Sequence, residues 1–453
     1  MNSSLSVQRS GGTAAASLIL CLLLLLSACG GGEEEPAVQT TDSTSRKAGS
    51  NTTANLMAPR PPTTSTLNAP KGKPTRAAKA RVEAARSRVQ NTPDSAAAVI
   101  ELGEALLEEG STKEAVENFE RVLQKNEADV SAILGLARAA IADGETKTAV
   151  NQVKKALAID SLNARAWNEW GRALYNSGDS KEALSKHRRA LELDSGFTNA
   201  RMNLGIALNA RGKSNDAVRE LTRAVQETPG DYLVHYNLGI VLKDAGDNGR
   251  AADFLRRSTE LNGEFFPAYV EWGNALMNLG NFEESIDKSR QAIDVNPQCD
   301  RAYLNWGVAL YNMKQLDASV EKYRKVIELN PSFAFAYNNL GYTLTDLERY
   351  DEAIEQFKKA VDLDPQNAIF YNNWGRALNG QGKFNLAIDK ITQSIKLAPR
   401  NPFAFMNWAD ALLGLGKEAE ARRKLFEVIK LDPKRLGPIA QAKINDLNAR
   451  GNE

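Results

Sequence analysis

The chain is poor in the residues that build reactive or cross-linked sites. Its two histidines, His187 and His235, are far apart in sequence and have no HExxH spacing or triad-like companion. That excludes a His-rich metal centre and a set of catalytic bases. Of three cysteines, Cys21 and Cys29 sit in the N-terminal segment and only Cys299 lies further on, so no disulfide framework can form in the mature chain. No Gly-rich phosphate loop is present. Neither charge dominates, with 57 Lys and Arg against 56 Asp and Glu, whereas a nucleic-acid binder normally shows a basic excess. The expectation is a protein with no catalytic residues, no metal, no cofactor and no nucleic-acid partner. The two histidines, Cys299, and Trp167, Trp170, Tyr269, Tyr303 and Tyr371 are read as packing residues or, for the cysteine, a lone thiol.

What is present begins with an address. Arg9 precedes an apolar run from Ala14 to Leu26, too short to span a bilayer comfortably and ending in small residues, as a signal peptide does. The closing Leu26-Ser27-Ala28-Cys29-Gly30 resembles the lipobox of bacterial lipoproteins. The resemblance implies cleavage after residue 28 and acylation of Cys29. Several acyl chains would anchor the protein stably, where one binds only marginally. Gly30, in place of the Asp that signals inner-membrane retention in such lipoproteins, leans toward the periplasmic face of the outer membrane. Residues 29–73 read as a disordered tether rich in Thr, Ser, Pro and Gly. As a random coil it would span roughly 35–40 Å. The basic residues between Lys71 and Arg88 are opposed by Glu83 alone. They read as a solvated helix face, with contact to anionic headgroups as the alternative. Residues 74–95 are expected to form a half-repeat that caps the region beginning at Ala96.

From Ala96 to Arg435 the sequence repeats ten times with a period of 34 and no insertion. Counting each repeat from Ala96 plus multiples of 34, position 8 is Gly in eight repeats, for example Gly171 and Gly375, and Ala137 or Ala409 in the others. Position 20 is Ala, or Ser285 and Ser319. Such small residues let two helices approach closely, while Trp or Leu at position 7 fills the space beside them. Gly at position 15, as in Gly280, suits a left-handed helix cap, so Lys314 and Glu348 at that position imply a modest backbone cost. Pro at position 32, from Pro229 to Pro433, is read as the stop for the second helix. A sequence such as Ala334 to Pro365, AFAYNNLGYTLTDLERYDEAIEQFKKAVDLDP, resembles the tetratricopeptide-repeat family along its whole length. The resemblance implies an all-α solenoid, a right-handed superhelix of antiparallel helix pairs, with the first helix of each pair lining a concave groove. Residues 436–453 are expected to supply a capping helix and tail.

Position 6 carries Asn203, Asn237, Asn305, Asn339, Asn373 and Asn407, with Glu101, Glu169, Glu271 and Gly135 in the remaining repeats. A carboxamide offers both a donor and an acceptor, so a file of them can pair with a peptide backbone whatever its side chains. The pattern is similar to the asparagine ladder inside the repeat superhelix of O-linked N-acetylglucosamine transferase, which holds extended peptides. Asn is also common at this position across the family, so ancestry is the competing explanation. Arg138, Arg172 and Arg376 at position 9, with Arg165, Arg301, Leu233, Phe335, Ile369 and Phe403 at position 2, would add selectivity. The reading is a non-enzymatic, lipid-anchored scaffold that binds extended protein segments within a cell-envelope assembly or export system. The alternative is an accessory subunit presenting polypeptide substrates to a glycosyltransferase or protease.

Overall fold

The computed structural model describes residues 76–450. The signal segment, Cys29 and the tether lie outside the described residues, as do the last three positions. The chain divides into residues 1–50 and 51–453, and every described residue belongs to the second unit.

Its elements are all helices: α1 (Arg76–Asn91), then ten pairs, then α22 (Gly437–Arg450). The pairs are α2 (Ala96–Glu109) with α3 (Thr112–Lys125), α4 (Val130–Ala142) with α5 (Thr146–Ile159), and α6 (Ala164–Asn176) with α7 (Ser180–Leu193). They continue as α8 (Thr198–Asn209) with α9 (Ser214–Glu227), α10 (Tyr232–Asp244) with α11 (Asn248–Leu261), and α12 (Phe266–Asn278) with α13 (Phe282–Val295). The last four are α14 (Asp300–Asn312) with α15 (Leu316–Leu329), α16 (Ala334–Asp346) with α17 (Tyr350–Leu363), α18 (Ala368–Gly380) with α19 (Phe384–Leu397), and α20 (Pro402–Gly414) with α21 (Glu418–Leu431). We call the first helix of each pair A and the second B. Each helix packs on its sequence neighbours, and every A helix from α2 to α20 is joined by the turn of its pair to an antiparallel B helix. This is an all-α solenoid of paired antiparallel helices.

The close approach within a pair is steric. A Cβ on Gly171 would lie 2.5 Å from the His187 ring, and one on Gly375 would lie 2.5 Å from Ile391. Position 8 therefore receives the side chain at position 24, which is fully buried in Phe119, Leu221, Tyr323 and Phe357. Burying one such side chain is worth about 1.5–3 kcal/mol. Phe119 is wedged between two glycines, Gly103 of its own pair and Gly135 of the next, each 2.5 Å from a hypothetical Cβ. The gap in the position-6 series at Gly135 follows, because no side chain fits beside that ring. Ser replaces Ala at position 20 without loss of volume, and its hydroxyl donates to the position-8 carbonyl: Ser285 to Gly273 and Ser319 to Gly307, both 2.8 Å.

The A-to-B turns share one geometry. At Gly280, φ is 83°, and the following Asn281 N–H reaches back to the Leu276 carbonyl at 2.9 Å. Lys314 and Glu348 adopt the same left-handed backbone, at φ 64° and 57°, with equivalent bonds from Gln315 to Leu310 and Arg349 to Leu344. The left-handed region costs a residue with a Cβ about 1–2 kcal/mol.

Proline is one stop for helix B and not the only one. Repeats with Glu127, Ser161, Ser195 or Gly263 in place of proline end their B helices at the same position as the others, at Lys125, Ile159, Leu193 and Leu261. The common element is an Asn or Asp one residue past the helix. Its carboxyl or carboxamide oxygen accepts the N–H two residues on: Asn126 from Ala128, Asp160 from Leu162, Asp194 from Gly196 and Asn262 from Glu264. In these four repeats that Asx turn competes with a further helical bond; where Thr228 and Ala398 stand at the same point, Pro229 and Pro399 follow directly.

The ends of the stack are closed by unequal means. α22 buries Leu436, Ala440, Ile444 and Leu447 against the last pair. α1 buries little beyond Val82 and Ala85. Those two pack with Val99, Leu102 and Leu106, and ion pairs add to the contact: Arg81 to Glu108 at 2.6 Å, Arg86 to Glu114 at 2.8 Å, and Arg88 to Glu101. Three of the arginines read as a solvated face thus dock the helix onto the first repeat.

Candidate functional site

The helix-A positions 5, 6, 9 and 12 form the candidate site. Five of the six position-6 asparagines are buried to 3% or less, and Asn407 is half-buried. Their carboxamides point into the stack and bond backward across the repeat boundary. Asn203 donates to the Asn168 carboxamide oxygen, Asn373 to Asn338 and Asn407 to Asn372, each at 2.9 Å. Asn305 donates to the Val270 carbonyl at 3.2 Å, and Asn237 reaches the Met202 sulfur at 3.5 Å. All five acceptors belong to position 5 of the preceding repeat, 35 residues earlier. Asn339 instead accepts from its neighbour Asn338. The Asn237 side-chain oxygen is buried without a partner. The position-5 asparagines went unnoticed in the sequence, although the Asn-Asn pairs at 338–339 and 372–373 were a visible signal.

The charges on this face are neutralised one by one. Glu169 pairs with Arg172 at 2.7 Å, and Glu104 with Arg138 at 2.5 Å. Glu271, almost fully buried, takes Lys243 of the preceding repeat at 2.6 Å and the Asn274 amide at 3.0 Å. Asp346 receives the Arg376 guanidinium at 2.5 Å and the Tyr311 hydroxyl, while the guanidinium lies 4.7 Å from the centre of the Tyr342 ring. Burial, and for Tyr311 the adjacent Asp346, pushes both phenols above their usual range. Arg138, Arg172 and Arg376, expected to confer selectivity, are therefore engaged, whereas Arg165 and Arg301 at position 2 are exposed and form no ion pair among the described residues. Phe335, Ile369 and Phe403 are half-buried, with Phe335 set edge-on to Phe370 at 5.4 Å.

His187 and His235 are buried. The His187 ring occupies the position-24 slot, its Nδ1 3.0 Å from the Asn168 oxygen that also accepts from Asn203. His235 Nε2 lies 3.0 Å from the Pro229 carbonyl. Cys299 is buried, and desolvation pushes its thiol up to about 11, away from the reactive thiolate. Among the described residues, no group of three or more His, Cys, Asp or Glu could hold a metal ion.

A second regularity runs along the stack. Trp170, Trp272, Trp306, Trp374 and Trp408 at position 7 each lie beneath a lysine sixteen residues later in the same repeat. Lys186, Lys322 and Lys390 sit 4.2 Å from their ring centres, Lys288 at 4.0 Å and Lys424 at 3.5 Å. The five repeats with Leu at position 7 have Asn118, Gln152, Glu220, Phe254 and Gln356 at that point, and no lysine. The pairing is a cation–π contact that appears only where there is a ring to receive it.

A tetratricopeptide-repeat family model matches residues 71–130, 200–263, 270–332 and 372–435, more than half of the chain. This chain belongs to the tetratricopeptide-repeat family. Other models of the same repeat match 106–169, 322–355 and 341–382. No curated protein matches the chain. Among solved structures, it is similar to the APC/C hetero-tetramer Cut9–Hcn1, at 13% identity and TM-score 0.47, over 81% of this chain and 93% of that one. It is similar to MamA at 24% identity and TM-score 0.33, over 36% and 94%. It is also similar to YrrB, a TPR protein with an unusual peptide-binding site, at 23% and 0.35, over 41% and 95%. Likenesses at these scores transfer nothing from those proteins to this tetratricopeptide-repeat chain.

Proposed function

We propose that this protein is a non-enzymatic scaffold, lipid-anchored through Cys29 at the periplasmic face of an outer membrane, whose helix-A face holds extended segments of partner proteins. The observation that supports this best is the charge state of that face. Every charged residue at positions 6, 9 and 12 has an ion-pair partner, so these positions offer carboxamides, hydroxyls and rings and no unpaired charge, with the exposed Arg165 and Arg301 confined to position 2. Such a lining suits a polypeptide backbone better than a charged metabolite or a nucleic acid. Within this reading the asparagines at 203, 237, 305, 339, 373 and 407 contact the bound backbone. Asn407 is half-buried and the most accessible of the six, while Asn237 is held within the stack by its bond to the Leu233 carbonyl at 2.8 Å.

The test uses a partner captured by crosslinking in the native membrane. Replacing Asn339, Asn373 and Asn407 by Ala should weaken its binding at least tenfold. The control is Asn338→Ala with Asn372→Ala, which breaks the same internal bonds from the acceptor side and leaves the position-6 amides in place. Equal losses in both variants would show that the ladder acts only on the stack and would sink the peptide-contact reading. Anchoring is tested separately, because a Cys29→Ser chain should leave the membrane fraction.

A further inference from the structure

The charge balance of the whole chain conceals an uneven outer surface. Helix α5, with sequence TKTAVNQVKKALAI, has three lysines and no carboxylate. Lys147, Lys154 and Lys155 are exposed and form no ion pair among the described residues. In the next B helix, α7, Lys181 and Arg188 occupy the same repeat positions as Lys147 and Lys154 and are likewise exposed and unpaired. At the Lys154 position the cations of later repeats are matched, Arg256 by Asp253 and Glu260 and Lys358 by Glu355, and Lys325 at the Lys155 position is matched by Glu328. Single unpaired cations recur, as at Lys113 and Lys359, but not clustered as on α5 and α7. Repeats six to eight even reverse the sign at the lysine-147 position, with Glu283, Asp317 and Asp351.

This basic surface adjoins an exposed apolar tip. α5 ends in Ile159, one turn from Lys155 on the same helix face and 48% exposed. Three residues on, Leu162 is 67% exposed, the highest value among the exposed large apolar residues described. The turn that presents it is fixed. Asp160, the carboxylate at the tip, accepts from the Leu162 backbone and the Asn163 side chain, both at 3.1 Å. The Trp167 indole N–H donates to the Ser161 carbonyl at 3.1 Å. Trp167 stacks on Trp170 at 5.5 Å, and Lys186 of α7 and Lys154 of α5 approach the Trp170 ring at 4.2 and 5.8 Å. The two B helices thus converge on a pair of half-buried indoles behind an aliphatic tip.

We infer that this face, formed by α5, α7 and the turn at residues 160–163, seats directly on an anionic phospholipid bilayer. Leu162 and Ile159 enter the headgroup boundary, the indoles lie at its level, and the unpaired lysines and Arg188 meet the lipid phosphates. Each element has a physical reason. Aliphatic side chains gain by leaving water, amphipathic indoles prefer the interface, and cations near an anionic surface gain roughly fivefold in partition apiece. An acidic protein would explain the cations and leave the exposed leucine unaccounted for. The inference rests on the anchored reading only for bringing the face within reach of a membrane, since the contact itself does not require acylation.

The test follows backbone amide exchange in the full chain, with and without vesicles of phosphatidylglycerol and phosphatidylethanolamine, and with phosphatidylcholine vesicles for comparison. Amides of residues 160–165 should be slowed by the anionic vesicles alone. The protection should vanish in 0.5 M salt, a screening distance of roughly 4–5 Å. Lys147→Gln with Lys154→Gln and Lys155→Gln should lower site-specific protection on the order of a hundredfold in lipid concentration. Leu162→Ser, on an exposed turn that tolerates it, should do so with all charges retained. Unchanged exchange at 160–165 in vesicle-bound chain would overturn the inference and leave the Cys29 anchor standing. Protection in a Cys29→Ser chain would uphold this contact without acylation, whereas a Cys29→Ser chain lacking this protection that still fractionated with native membranes would count against the anchor. Protection by soluble polyglutamate, with none by vesicles, would overturn it in favour of an acidic protein.

Discussion

His187 gives a prediction that can be worked through from the structure. Its ring fills the slot that Leu221 and Leu255 fill in the next two repeats, against Gly171 and without solvent. Nδ1 faces the Asn168 oxygen, and Nε2 is buried with no partner. Desolvation, with a smaller contribution from the nearby Arg172 guanidinium, holds its pKa at about 3, against 6.5 for an exposed histidine. The folded state therefore binds fewer protons than the unfolded state, and its contribution is intact above pH 6.5. It declines as the pH falls toward 3, at about 1.4 kcal/mol per unit. Between pH 7 and pH 5 the loss is about 2 kcal/mol. His187→Leu abolishes that dependence, fills the slot with the residue used by its neighbours, and leaves Asn168 its bond from Asn203. The measurement is native-state amide exchange of α6 and α7 at several pH values in parent and variant, because a repeat array opens locally rather than all at once. Carboxylate titrations are common to both proteins and cancel. The stability difference, parent minus variant, should fall by about 2 kcal/mol between pH 7 and pH 5. Parallel pH profiles would refute the reasoning by showing a ring that protonates freely in the folded protein.

Two more outcomes rest on the same local logic. Lys314→Gly and Glu348→Gly should each raise stability by about 0.5–1 kcal/mol, the left-handed cost less the greater freedom of glycine in the unfolded chain; thermal melts of the single and double variants check this. A double-mutant cycle of Trp306→Leu and Lys322→Gln should give a coupling of about 0.5–1 kcal/mol that persists in moderate salt. Additive losses there would reduce the Trp–Lys pairing to coincidence.

The solenoid was legible in the sequence because its determinants are local and repeat in register. Gly at position 8, the small residue at position 20 and the left-handed residue at position 15 each mark a contact inside one hairpin. The candidate site was less legible because its bonds join different repeats. Asn373 as a letter in a column announces a carboxamide; that it donates to Asn338 depends on which neighbour lies 35 residues back across a helix boundary. Arg138 and Arg376 read as free cations for the same reason, their carboxylates being in the preceding repeat. Proline as a helix stop was legible because it is conspicuous, whereas the Asx turns that end the helix where proline is missing act through a two-residue bond. The Trp–Lys pairs were visible in principle, since comparison of two columns sixteen residues apart separates the five Trp repeats from the five Leu repeats.

The backward bonds of the asparagines bear on how a ligand would be held. An amide that joins position 6 of one repeat to position 5 of the one before ties the two repeats together, so a ligand touching it would engage a group already tied to the stack. Asn168 shows how far such ties extend, because its one oxygen gathers Asn203 from the following repeat and His187 from helix B of its own. Binding energy applied at a rung of this kind is distributed over two repeats. Repeats one and two have no such rung: Glu101 is spent on Arg88 of the capping helix, and Gly135 leaves room only for Phe119. The rungs begin at Asn203, immediately after the basic and apolar face of α5 and α7. If both proposals hold, that order implies a division of labour, with the early repeats meeting the membrane and the later ones a polypeptide.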